Sequence, residues 1–83
     1  MSRDIRIEGH VKRGDSPIEG AYVRLIAPSG EFVAELRTDE SGAFRFYPIE
    51  GEWTLISLAP GGARQETTVT LAPGESAEID LEI

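Results

Sequence analysis

From Gly20 to Leu58 the chain reads GAYVRLIAPSGEFVAELRTDESGAFRFYPIEGEWTLISL, with an apolar residue at almost every second position. Clusters of Gly, Pro, Asp or Ser interrupt the pattern every eight to ten residues. Successive side chains of an extended strand leave opposite faces, so a period of two marks half-buried strands. Runs this short, closed by turn formers, leave no room for a helix. The same rhythm continues on both sides. Ile5, Ile7 and Val11 alternate with Arg6, Glu8, His10 and Lys12 in a first strand, and Gly9 inside it predicts a bulge or the close approach of another strand.

After the turn cluster Gly14-Asp15-Ser16-Pro17, Ala21, Val23 and Leu25 give the inward face of a second strand. Phe32, Ala34 and Leu36 give that of a third. Phe44 and Phe46 anchor a fourth, Trp53 and Leu55 a fifth. Thr67, Val69 and Leu71 supply a sixth, and Ala77, Ile79, Leu81 and Ile83 a seventh. The sum is an all-β fold, an antiparallel β-sandwich of about seven strands in one domain spanning residues 1–83. Phe32, Phe44, Phe46 and Trp53 are expected to form its aromatic centre, each burying roughly 150–250 Å². Trp53 alone then contributes about 4–6 kcal/mol of gross transfer energy, enough for Trp53→Ala to unfold so small a domain.

A chain of 83 residues buries only roughly 60–65% of its unfolded surface, so one core must carry its stability. With no cysteine, neither disulfides nor thiol chemistry are open to it, which fits a reducing cytoplasm. Eight Lys and Arg against 15 Asp and Glu give a net charge of −7. That balance disfavours nucleic acid and anionic membrane, both polyanions. MSRDIRIEG has no apolar core of a secretory signal, and no run approaches 18 apolar residues.

The search for chemistry returns little. His10 is the only histidine and reads as a solvated side chain, without a Ser-His-Asp set around it. Zinc asks for several His or Cys ligands, so no metal site is expected, and no cofactor. Asp39-Glu40-Ser41-Gly42 offers oxygens to Ca²⁺ but lacks the alternating acidic ligands of an EF-hand loop. A turn held by Asp39 through its neighbouring backbone is the favoured reading. Glu50 and Glu52, flanking Gly51, read as a solvated hairpin tip, with a negative spot near Glu19 as the alternative. No catalytic residues are assigned, and the chain is not expected to be an enzyme.

Gly9-x-Val11, Pro17-Ile18-Glu19-Gly20-Ala21-x-Val23-x-Leu25, Thr38-Asp39-x-x-Gly42-x-Phe44-x-Phe46 and Gly51-x-Trp53-x-Leu55 together resemble the carboxypeptidase regulatory-like domain, a transthyretin-like (prealbumin-type, Ig-like Greek-key) sandwich. The resemblance covers nearly the whole chain. Gly20 and Gly42 suit turn positions with positive φ, and Thr38 to Phe44 looks like a hairpin turn. GAYVRLIAPSGEFVAEL and GAFRFYPIEGEWTL are also similar to an uncharacterised actinobacterial family. That resemblance implies a gene neighbourhood with thiosulfate sulfurtransferases and sulfur metabolism. Many of its members carry a cysteine in an N-terminal extension, and this chain has no cysteine. Hydroxyisourate hydrolases share the fold, but their tyrosine-rich C-terminal signature has no counterpart in Ala77-Glu78-Ile79-Asp80-Leu81-Glu82-Ile83.

The fold implied by the resemblance makes the second and fifth strands neighbours. Tyr22 and Ile26 would then share one outer face with Ile56 and Leu58, and Tyr47 is expected nearby. Those five residues are the candidate partner-binding set. The expected function is a non-catalytic accessory or protein-interaction domain, its partner an unidentified protein or a second copy of itself. The alternatives are a small-ligand or carbohydrate-binding module resting on Tyr22 and Tyr47, and an accessory subunit to a sulfurtransferase.

Overall fold

In the computed structural model, which describes residues 5–83, nine strands form two sheets and there is no helix. They are β1 (Ile7–Arg13), β2 (Ser16–Pro17), β3 (Tyr22–Ile26), β4 (Phe32–Arg37), β5 (Ala43–Phe46), β6 (Gly51–Leu58), β7 (Arg64–Leu71), β8 (Ala77–Glu78) and β9 (Leu81–Glu82). One sheet runs β4-β3-β6-β7, antiparallel throughout. The other is built around β1.

The alternation of backbone groups along β1 explains how it serves four partners. Val11 sends both its groups to one edge: its N–H donates to Gly42 O and its carbonyl accepts from Ile18 N. The carbonyls of Arg6, Glu8 and Lys12 point to the other edge and accept from Ala77, Ile79 and Ile83. So β2 and β5 flank one side, antiparallel, while β8 and β9 flank the other. β8 and β9 run parallel to β1, and together they are the seventh strand expected from the sequence, interrupted at Ile79 and Asp80. The interruption stands opposite Gly9. A Cβ there would lie 1.5 Å from the Ile79 carbonyl oxygen, so Gly9 marks a close approach by another strand.

Between the sheets lie Ile7, Val11, Val23, Leu25, Phe44, Phe46, Trp53, Leu55, Val69, Leu71 and Leu81, all buried. Each falls on the inward phase of its strand. Phe44 and Phe46 tilt against each other at 6.3 Å between ring centres. The Trp53 indole N–H donates to Ile49 O, so its one polar atom is satisfied.

Three expectations need correction. Phe32 is 56% exposed and takes no part in the aromatic centre. Along the β3–β4 pair the register moves from Leu25↔Ala34 to Ile26↔Phe32, leaving Val33 over as a bulge. That extra residue turns Phe32 to the outer face beside Ile26. Second, Thr38 to Phe44 is not a hairpin: β4 pairs with β3 and β5 with β1, so the segment crosses between sheets. Thr38, buried, pins the crossing. Its Oγ1 donates to Ile18 O and accepts from Ala21 N, and its backbone bonds both Gly20 and Ala21. Third, Glu50 and Glu52 sit on no hairpin tip, since β5 pairs with β1 and β6 with β3 and β7. Glu19 lies at the opposite end of β6 from them, because Leu58 pairs with Tyr22 whereas Gly51 adjoins Pro28. They form no common negative spot.

Gly20 and Gly42 have φ of 78° and 76°, the left-handed conformation expected of them.

Candidate functional site

Residues directly opposite each other on paired strands share a face. The registers of the β4-β3-β6-β7 sheet therefore fix three rows of side chains across all four strands of its outer surface, with Glu52 and Thr70 continuing it on β6 and β7. Across the strands the first row is Arg37, Tyr22, Leu58, Arg64 and the second is Glu35, Arg24, Ile56, Glu66. The third is Phe32, Ile26, Thr54, Thr68. Tyr22, Ile26, Ile56 and Leu58 thus stand together as the sequence reading placed them. Ile26, Ile56 and Leu58 are half-buried, whereas Tyr22 is 43% exposed.

Charged groups border this apolar centre on β4 and β7, and Arg24 stands within it between Tyr22 and Ile26. Arg24 Nε donates to Glu35 Oε2 at 2.5 Å, and Arg64 Nη2 to Glu66 Oε2 at 3.1 Å. The Arg37 guanidinium lies over the Tyr22 ring, 5.7 Å from its centre, a cation–π contact. Arg24, Arg37 and Arg64 thus meet Glu35, Glu52 and Glu66, so the chain's net charge of −7 resides elsewhere. Phe32, given to the core by the period-two pattern, adds a fifth exposed apolar group to the face.

Tyr47 does not join this face. It follows β5, in the other sheet, and stands 64% exposed beside Arg45. The two tyrosines therefore sit on opposite sides of the sandwich. The Tyr47 side chain, and then Glu8, hold the Arg45 guanidinium above its ordinary pKa. Glu8 is held below its own ordinary value, chiefly by a hydrogen bond from Arg6 and also by Arg45.

Around that second surface the sequence reading missed a groove of about 540 Å³, lined by His10, Arg37, Asp39, Phe44, Arg45 and Glu78 among others. It exists because the chain crosses from β4 to β5 there and leaves the sandwich edge open. His10 Nδ1 lies 3.5 Å from Asp80, which Lys12 also approaches. Asp39 Oδ1 accepts from Ser41 N, Ser41 Oγ and Ala43 N. These bonds, the Ser41 hydroxyl first, hold its carboxyl below the usual range. Asp39 thus builds the turn through its neighbours' backbone, as expected.

The solved structures similar to this chain agree on its fold. The 5-hydroxyisourate hydrolase of Klebsiella pneumoniae superposes with a TM-score of 0.76 at 17% identity, over 95% of this chain and 89% of that one. BcpA, the major pilin subunit of Bacillus cereus, superposes equally well at 14% identity, over 96% of this chain and 29% of the pilin. At such identities the likeness shows the transthyretin-like sandwich alone. In sequence, the uncharacterized protein Rv0814c of Mycobacterium tuberculosis is 34% identical over 84 residues, covering all of this chain and 83% of the relative. A family described as "Protein of unknown function (DUF1416)" matches residues 1–83, and the chain belongs to that family.

Proposed function

We propose that this domain is a non-catalytic interaction module that holds a protein partner through the outer face of β4-β3-β6-β7. One observation carries the reading: Tyr22, Ile26, Phe32, Ile56 and Leu58 lie contiguously on a nearly charge-neutral face of an acidic chain. Contiguous exposed apolar surface is the usual mark of a protein contact. The arginines and the two aromatics match the residue types enriched where proteins meet.

Capture from native lysate tests it, using the wild type, Ile56→Arg and, on the opposite face, Tyr47→Arg, after all three are shown to melt alike. A partner lost only with Ile56→Arg, and bound again by purified wild type in titration, supports the face. A partner held equally by all three removes it.

A second reading, a small-ligand or carbohydrate-binding module, draws on the groove, where His10, Arg37 and Arg45 stand among carboxylates. Tyr22 and Tyr47, on opposite faces, offer no shared stacking platform. Titration with a panel of glycans and small zwitterions, followed at His10 and Arg45, distinguishes the two readings. The carboxypeptidase regulatory-like assignment, a cytoplasmic setting and a role beside a sulfurtransferase rest on sequence composition and resemblance. The identity of the captured protein decides among them.

A further inference from the structure

The rows of the outer face are complementary to themselves. Two copies stacked face to face about a two-fold axis can be arranged in two ways. An axis along the strands lays β4 over β7 and sets Arg37 against Arg64 and Glu35 against Glu66, which repels at both margins. An axis close to perpendicular to the strands lays each strand over its own copy. If that axis passes between the first and second rows, Arg37 meets Glu35 of the second copy and Arg64 meets Glu66 of the second copy. Leu58 then meets Ile56 at the centre, and Tyr22 meets Arg24. Moving the axis one row onward sets Arg24 against Ile26 and Glu35 against Phe32, and the complementarity is gone.

We propose that this face binds a second copy of the chain in an isologous dimer, its two-fold axis crossing the strands between the Tyr22–Leu58 and Arg24–Ile56 rows. The proposal rests on the face being the binding surface, and it names the occupant. Every contact occurs twice under such symmetry, so one favourable register is counted double. Sheets that face each other pack with their strands nearly aligned, as this axis requires. A second copy is also an acidic chain. This face lets it approach without bringing like charges together at the centre. The axis lies one residue from the Arg37, Tyr22, Leu58 and Arg64 ends of the four strands, so the sheets overlap over their first two rows. With strands ~4.8 Å apart and a rise of ~3.3 Å per residue, that is a flat footprint of roughly 200 Å² per copy. Doubled, that stays below the roughly 1,200 Å² at which stable specific interfaces begin. The dimer is therefore a weak, concentration-dependent one.

Arg64 and Glu66 make the test, since both are exposed and their exchange leaves the core untouched. Sedimentation equilibrium of the wild type over a wide concentration range should show a monomer–dimer equilibrium. Arg64→Glu alone, and Glu66→Arg alone, should each weaken the dimer at least tenfold. Mixed one to one, the two variant chains should recover a heterodimer, because each then meets the opposite charge across the axis. A wild type that sediments as a monomer throughout overturns the dimer, while leaving the face reading to the capture experiment. A wild-type dimer indifferent to both variants, or variants that fail to pair when mixed, overturns this geometry.

Discussion

Thr38 is a buried hydroxyl on which the crossing between the two sheets closes. It donates to Ile18 O at 2.6 Å and accepts from Ala21 N at 2.9 Å. Thr38→Val keeps the shape and removes both bonds, leaving a buried N–H and a carbonyl short of partners. Each such orphan costs ~1–3 kcal/mol. We expect Thr38→Val to lower the unfolding free energy by about 2 kcal/mol or more in urea, with Thr38→Ser retaining most of the stability. A loss in Thr38→Ser with little or none in Thr38→Val would mean that packing of the methyl, not the hydroxyl, holds the corner. Trp53 acts by bulk instead. It is buried at the centre of β6, and truncation of a core tryptophan costs ~3–5 kcal/mol against a net stability of roughly 0.05–0.15 kcal/mol per residue. Trp53→Ala should therefore show no cooperative thermal transition. A sharp native-like melt would remove Trp53 from the centre of the core.

At the level of elements, the point of greatest tension is where the last strand breaks opposite Gly9. Any side chain at Gly9 must displace the Ile79 carbonyl, and backbone moves less readily than a flexible side chain. Gly9→Ala should cost ~1–3 kcal/mol or more as overpacking. It should also raise hydrogen exchange at the Ala77, Ile79 and Ile83 amides that donate to β1, with the β3–β6 ladder unchanged. Uniform acceleration across both sheets would show that the C-terminal strands do not open separately. Gly9 also shows what a sequence can reveal. A glycine amid alternating residues signals that something passes close, but the identity of the neighbour, 70 residues away, is a property of the assembled sheet. The alternation of Val23, Leu25, Trp53, Leu55, Val69 and Leu71 was legible because burial on one face writes itself into period two. Phe32 was not, since a single extra residue at Val33 reverses every side chain beyond it while leaving the composition unchanged. The outward phase of four residues of the outer face was legible for the same reason that the core was, while the pairing that joins their two strands came from the family resemblance. Tyr47 and the groove depended on the crossing from β4 to β5, which local sequence presents as an ordinary turn.

For the whole molecule, the distribution of charge sets how stability responds to acid. Glu8, Asp39 and Asp80 all have carboxyls held below their ordinary range. The causes are, first in each case, hydrogen bonds from Arg6, the Ser41 hydroxyl and Lys12. A carboxyl whose pKa is lower folded than unfolded binds fewer protons in the native state. Its contribution is therefore complete above the unfolded value and is lost as pH falls through the folded one. Against this, a chain of net charge −7 repels itself near neutrality, and protonation relieves that repulsion. Salt separates the two effects in degree, because charges spread over the surface are screened beyond ~8 Å at physiological ionic strength while groups in direct contact are screened less. In that salt, stability should decline once pH drops below the ordinary carboxylate range. At low ionic strength the decline should be shallower. Asp39→Asn isolates one contributor: it retains an acceptor oxygen for Ser41 and Ala43 and removes only the charge. Denaturant midpoints of wild type and variant, compared from neutral to acidic pH, should differ most near pH 7. They should converge as Asp39 takes up its proton. A gap that stays constant with pH would mean that the turn is held by the shape of the side chain and owes nothing to its charge.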